Sequence, residues 1–129
     1  VHPATLADVV HIGEEMWARG REELRWLLPP DVWLEGWKRR IARGDAVAFD
    51  SHAILGCDWE APGTICTSFQ AAKSFEDPGV GLRITKEIRR EIPRLMQERG
   101  IHLVCTYSLC VHPESEKWFR LLGLTEDTS

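Results

Sequence analysis

The chain has 129 residues, 43% of them hydrophobic and 28% charged, with a formal net charge of −4. That is enough apolar material for one domain with a real core, and the acidic balance excludes a nucleic-acid binder held by a general basic surface. No apolar run approaches the roughly 20 residues that span a bilayer, and the first ten residues lack a basic, signal-like segment, so a cytoplasmic protein without a membrane partner is expected.

In chain order, Thr5 and Asp8 have the spacing of a capping box, and Leu6, Val9, Val10, Met16 and Trp17 then recur along one helical face. A first helix is expected to about Gly20. Helical character continues through 21–28 until Pro29 and Pro30 interrupt it, and Asp31 is placed to cap a further helix that stops at Gly44. The pattern then changes. Segments 46–50, 52–60 and 64–71 are short, rich in β-branched, aromatic and small apolar residues, and divided by turn signals at Asp50-Ser51 and Ala61-Pro62-Gly63, which predicts an antiparallel meander.

After the meander, Ile84, Ile88, Ile92, Leu95 and Met96 line one side of a long helix that Gly100 ends. Pro93 lies inside this helix and predicts a kink, since the apolar period continues beyond it. A strand over 101–109, parallel to the third strand of the meander, completes a strand–helix–strand unit. A short last helix follows, with Pro113 in its first turn and Gly123 as its stop. The fold class is α/β in the broad α+β sense, a mixed and mainly antiparallel sheet flanked by helices in one domain, 1–129.

The cysteines Cys57, Cys66, Cys105 and Cys110 lie in apolar, strand-like segments and form no CxxC pair. Buried thiols are expected, with no metal site and no disulfide frame. Six tryptophans are many for this length, and core packing is the expectation for each. Exposure of Trp33 or Trp37 would instead mark a partner surface.

Glu76-Asp77-Pro78-Gly79-Val80-Gly81 places two glycines one residue apart at the start of the long helix. Glycines there let backbone N–H groups approach an anion, and the helix adds its positive end; the same spacing also suits an ordinary turn. With the order of helices and strands, this stretch resembles the GNAT N-acetyltransferase superfamily, whose pyrophosphate loop reads Gln/Arg-x-x-Gly-x-Gly/Ala. His112, Ser115, Trp118, Phe119, Gly123 and Leu124 are similar to the family's second signature. The segment from 67 to 124 is closest in character to the small GNAT-like proteins of tailed bacteriophages, some of them virion components.

The resemblance implies acetyl-CoA as cofactor and a small-molecule or protein amine as acceptor. It implies coenzyme contacts from Ser68, Phe69 and Gln70 on the fourth strand, and from Gly79, Val80, Gly81 and Leu82 at the helix start. Arg83 and Lys86 would add positive charge, and Ser115, Trp118 and Phe119 would contribute from the last helix. Phe119 stands where the family often has its acidic tyrosine, so Tyr107, the only tyrosine, is the candidate proton donor to the leaving thiolate. Asp58 and Glu60 are the candidate bases, and His112 replaces an asparagine near the thioester. After Gly123 the sequence is too short for the family's two closing strands, which suggests an open sheet edge for a homodimer or a protein partner. Two readings follow: an N-acetyltransferase, or a GNAT-like binding or structural module that keeps the fold without catalysis.

Overall fold

A computed structural model describes residues 1–17, 21, 29–106 and 120. Among these residues five strands form one sheet: β1 (His2–Pro3), β2 (Ala46–Phe49), β3 (Ala53–Ala61), β4 (Thr64–Ala71) and β5 (Leu103–Cys105), in the spatial order β1-β2-β3-β4-β5. The first four are antiparallel to their neighbours, and β5 runs parallel to β4. The helices are α1 (Leu6–Glu14), α2 (Pro30–Arg43) and α3 (Pro78–Arg99), with a single 3₁₀ turn at Lys73–Glu76. This is a mixed α+β fold around an open, mostly antiparallel sheet.

The meander lies where the alternation of turn signals and β-branched residues places it. Its strands shift by a residue or so, since β2 ends at Phe49 and β3 runs on to Ala61. The capping box is formed: the Asp8 N–H donates to Thr5 Oγ1 at 3.2 Å, and the Thr5 N–H donates to Asp8 Oδ2 at 2.8 Å. Helix α1 stops at Glu14, well before Gly20, because the chain is drawn into the sheet. Met16 bridges Ala72, and the Trp17 N–H donates to the Ala71 carbonyl. Asp31 does not cap α2; Pro29 is the N-cap, Pro30 takes the first helical position where its missing N–H costs nothing, and Asp31 falls in the first turn. Strand β5 starts at Leu103 rather than 101, because the Ile101 N–H closes the end of α3 on Met96 and the His102 N–H goes to Gly63.

The two faces of the sheet carry different helices. Ala46, Ala48 and Ile54 pack with Val9, Ile12 and Trp37 of α1 and α2, while Phe49, Ala53 and Ala71 pack with Ile84 and Ile88 of α3. These residues alternate along β2 and β3 as a strand requires. Trp37 is fully buried and Trp33 packs edge-on against it, so neither marks a partner surface. Helix α3 runs through Pro93 without a break to Arg99.

The helix start differs most from expectation. Gly79, Val80 and Gly81 are not a loop ahead of α3; Pro78 is already its first residue, so all three lie in the first turn. A Cβ on Gly81 would stand 2.9 Å from the Phe75 carbonyl oxygen, so the glycine lets α3 pack against the 3₁₀ turn. We predict that Gly81→Ala destabilises the fold by about 1–3 kcal/mol through this overlap, read as a lower urea midpoint at constant slope. An unchanged midpoint would mean that the junction relaxes freely.

Candidate functional site

The site that the sequence points to lies where β4, β5 and the start of α3 meet. Among the described residues strand β5 pairs with β4 over Thr64, Ile65 and Cys66, and the Thr67 hydroxyl then donates to the Cys105 carbonyl at 3.4 Å. At its far end the same edge of β4 is covered by the Glu15-Met16-Trp17 segment, through Trp17 N–H to Ala71 O and Lys73 N–H to Glu15 O. Positions 67–70 lie between these two covered ends. Phe69 turns into the core and meets Phe75 and Trp17 edge-on, so its ring is part of the packing. Ser68 is half-buried, and Gln70 is buried with its Oε1 lacking a hydrogen-bond partner among the described residues. A buried amide oxygen left so costs roughly 1–3 kcal/mol, which marks Gln70 as a group with an unmet demand.

The start of α3 is occupied by the protein itself. Asp77 is the N-cap, and its Oδ1 accepts from the Gly79 N–H at 2.9 Å and the Val80 N–H at 3.4 Å, while the Gly81 N–H goes to the Asp77 carbonyl. The donors that a pyrophosphate would need are thus held by a carboxylate. An approaching phosphate would meet Asp77 and Glu76 as like charges, a repulsion of about 1–4 kcal/mol at 4 Å for dielectrics between water and a protein surface. The helix end returns only about 0.3–1 kcal/mol to an anion. Repulsion wins, and the turn as folded does not fit a pyrophosphate. Arg83 pairs with Asp50 at 3.2 Å, away from the cap, while Lys86 and Leu82 are exposed on α3.

The candidate bases part company. Asp58 receives Arg40 Nη2 at 2.8 Å, Arg40 Nε at 3.3 Å and Arg43 Nη2 at 2.8 Å. Partial burial pushes its carboxyl up, but the hydrogen bonds and charges of Arg40 and Arg43 outweigh this and hold it below the ordinary value. A carboxylate so engaged is a poor proton acceptor, and it anchors α2 on β3. Glu60 is exposed near the end of β3 and has no ion pair among the described residues.

Tyr107, His112, Ser115, Trp118 and Phe119 lie outside the described residues, as does Cys110. Cys57, Cys66 and Cys105 are free thiols, and burial pushes the pKa of Cys57 and of Cys66 up, which makes both sluggish nucleophiles. Among the described residues no group of three His, Cys, Asp or Glu side chains could hold a metal ion. No helix among them is long and apolar enough to cross a membrane.

Two features escaped the sequence reading. Asp77 before Pro78 is an N-cap signature, an acid followed by proline at the first helical position, but the glycine spacing drew attention past it. Arg40 and Arg43, three residues apart at the end of α2, present one cationic face, and only the register of β3 shows that Asp58 stands opposite. No protein-family model matches the chain, and no curated protein matches it either.

The Asp58 anchor sets a pH dependence. A carboxyl whose folded-state pKa is depressed stabilises the fold above its unfolded value, near 3.8, and loses that contribution as pH falls through the lower folded value. Asp58→Asn should therefore unfold at lower urea than the parent at pH 7, with the gap closing below about pH 4. Urea midpoints across pH 2 to 7 check this; a gap that persists unchanged at pH 2 would remove the ion pairs from the account.

Proposed function

We propose that the chain is a GNAT-like domain that keeps the family's framework and has given up the coenzyme: a non-catalytic binding or structural module. The observation that carries this reading is the Asp77 carboxylate seated on the Gly79 and Val80 amides. Three further points support it. Gly81 has a packing reason in Phe75, Asp58 is locked by two arginines, and the tyrosine expected on the last helix is Phe119. The framework itself rests on the order of elements, three antiparallel strands, a crossing helix and a parallel fifth strand.

A second reading, acetyl-CoA-dependent transfer to an amine, is favoured by one observation, the buried Gln70 Oε1 on β4, which has no hydrogen-bond partner among the described residues. On that reading Gln70 and Ser68 would orient the bound thioester, Glu60 would take the amine proton and Tyr107 would protonate the leaving sulfur. Calorimetric titration with acetyl-CoA separates the two. We predict no binding tighter than about 1 mM in the parent chain, and a gain of at least about tenfold in Asp77→Ala, which frees two donors and removes a charge. Losing the cap costs only about 1 kcal/mol, so the variant stays folded. Micromolar binding by the parent, with turnover that Tyr107→Phe lowers about a hundredfold, would establish the transferase instead.

A further inference from the structure

Helix α3 covers the sheet unevenly. Its first half sits on a dense aromatic patch, where Phe49 and Phe75 pack with Ile84 and Ile88. Its second half sits over Cys57 and Ile65, smaller side chains that do not fill the space beneath it. A cavity of about 110 Å³ remains there, between α3 and the sheet. Its wall is aliphatic, with Val47, Leu55 and Ile65 below and Ile92, Leu95 and Met96 above.

The polar groups around it are few, and the charged ones are paired. At the rim, Asp45 accepts from Arg43 Nε at 3.1 Å and from Arg99 Nη2 at 2.8 Å, and the Arg99 guanidinium lies over the Trp59 ring. The Thr67 hydroxyl is spent on the Cys105 carbonyl. Among the described lining residues apolar side chains predominate and the charges of Asp45 and Arg99 are paired with each other, so the wall favours an uncharged ligand over an ordered water, which wants two to four polar partners. What the space rewards is contact with apolar surface, at roughly 25 cal/mol per Å² removed from water.

We propose that this cavity is a binding site for a compact, uncharged apolar ligand, a short hydrocarbon chain or a single small ring. Its volume is somewhat below the ~150 Å³ of an apolar protein cavity that takes up benzene. Met96, unbranched and with three rotatable bonds, supplies the adjustment that a ring would need. The Asp45–Arg99 pair lines one side of the cavity, with the arginine half-exposed. The site is at the opposite end of α3 from Asp77 and does not depend on whether a coenzyme binds there.

The test uses the full chain carrying ¹³C-labelled Ile, Leu, Val and Met methyls, titrated with benzene. Saturable shifts confined to the methyls of Val47, Leu55, Ile92 and Met96 are expected. Leu55→Phe, which fills the space from β3, should weaken the affinity by at least about tenfold. Shifts that grow linearly without saturation, saturable shifts confined to other methyls, or unchanged affinity in a folded Leu55→Phe variant would each overturn the proposal. Should that variant not fold, nuclear Overhauser contacts between benzene and the Ile92 and Met96 methyls of the parent decide: their presence upholds the site and their absence refutes it.

Discussion

Asp45 stands between two guanidinium groups, Arg43 at the end of α2 and Arg99 at the end of α3, with its carboxylate almost wholly removed from solvent. Because α2 and α3 lie on opposite faces, this one side chain ties both layers to the strand between them. Its backbone takes part as well, since its N–H donates to the Arg40 carbonyl and its own carbonyl accepts from the Cys57 N–H. A buried carboxylate is tolerable only while both cations stay in place, and breaking such an arrangement typically costs about 3–5 kcal/mol. Asp58 extends the network along β3 through Arg40 and Arg43. The ends of both helices are thereby fixed, and with them the direction in which α3 crosses to its N-terminus beside β4.

At that N-terminus the same physics runs with the signs exchanged. A helix gathers partial positive charge at its start and asks for an anion. A bound anionic ligand can supply it; here Asp77 does, from within the chain. The functional reading turns on that substitution, because the backbone geometry alone would suit either occupant. Helix α3 is thus held by carboxylates at both ends, Asp77 at its amides and Asp45 at its last arginine.

Where side-chain periodicity decides the structure, the sequence is readable. The meander follows from runs of Ala, Val, Ile and Phe between turn residues, and the parallel β5 follows from a long amphipathic helix that must cross the sheet. The errors fall where a tertiary contact outbids a local preference. Met16 and Trp17 fit the helical face of α1, yet the Ala71 and Ala72 backbone offers them a sheet pairing. Asp31 looks like a cap, but the preceding prolines set the helix start two residues earlier. The site was harder to read for a related reason. Gly79 and Gly81 have the spacing of a phosphate loop, but the reason for Gly81 is the Phe75 carbonyl, six residues back in the chain and in contact only once the 3₁₀ turn has formed. Asp58 likewise looks like an exposed acid until β3 brings it against an arginine 18 positions earlier.

The central claim is that the first amides of α3 belong to Asp77 and are not offered to a ligand. It is tested most directly by following the Gly79 and Val80 amide resonances of the ¹⁵N-labelled chain while coenzyme A is added. The account predicts that both stay in place in the parent chain and move only once Asp77 has been replaced by alanine. Saturable movement of both amides in the parent would contradict it, and would show that the carboxylate yields its place to a phosphate.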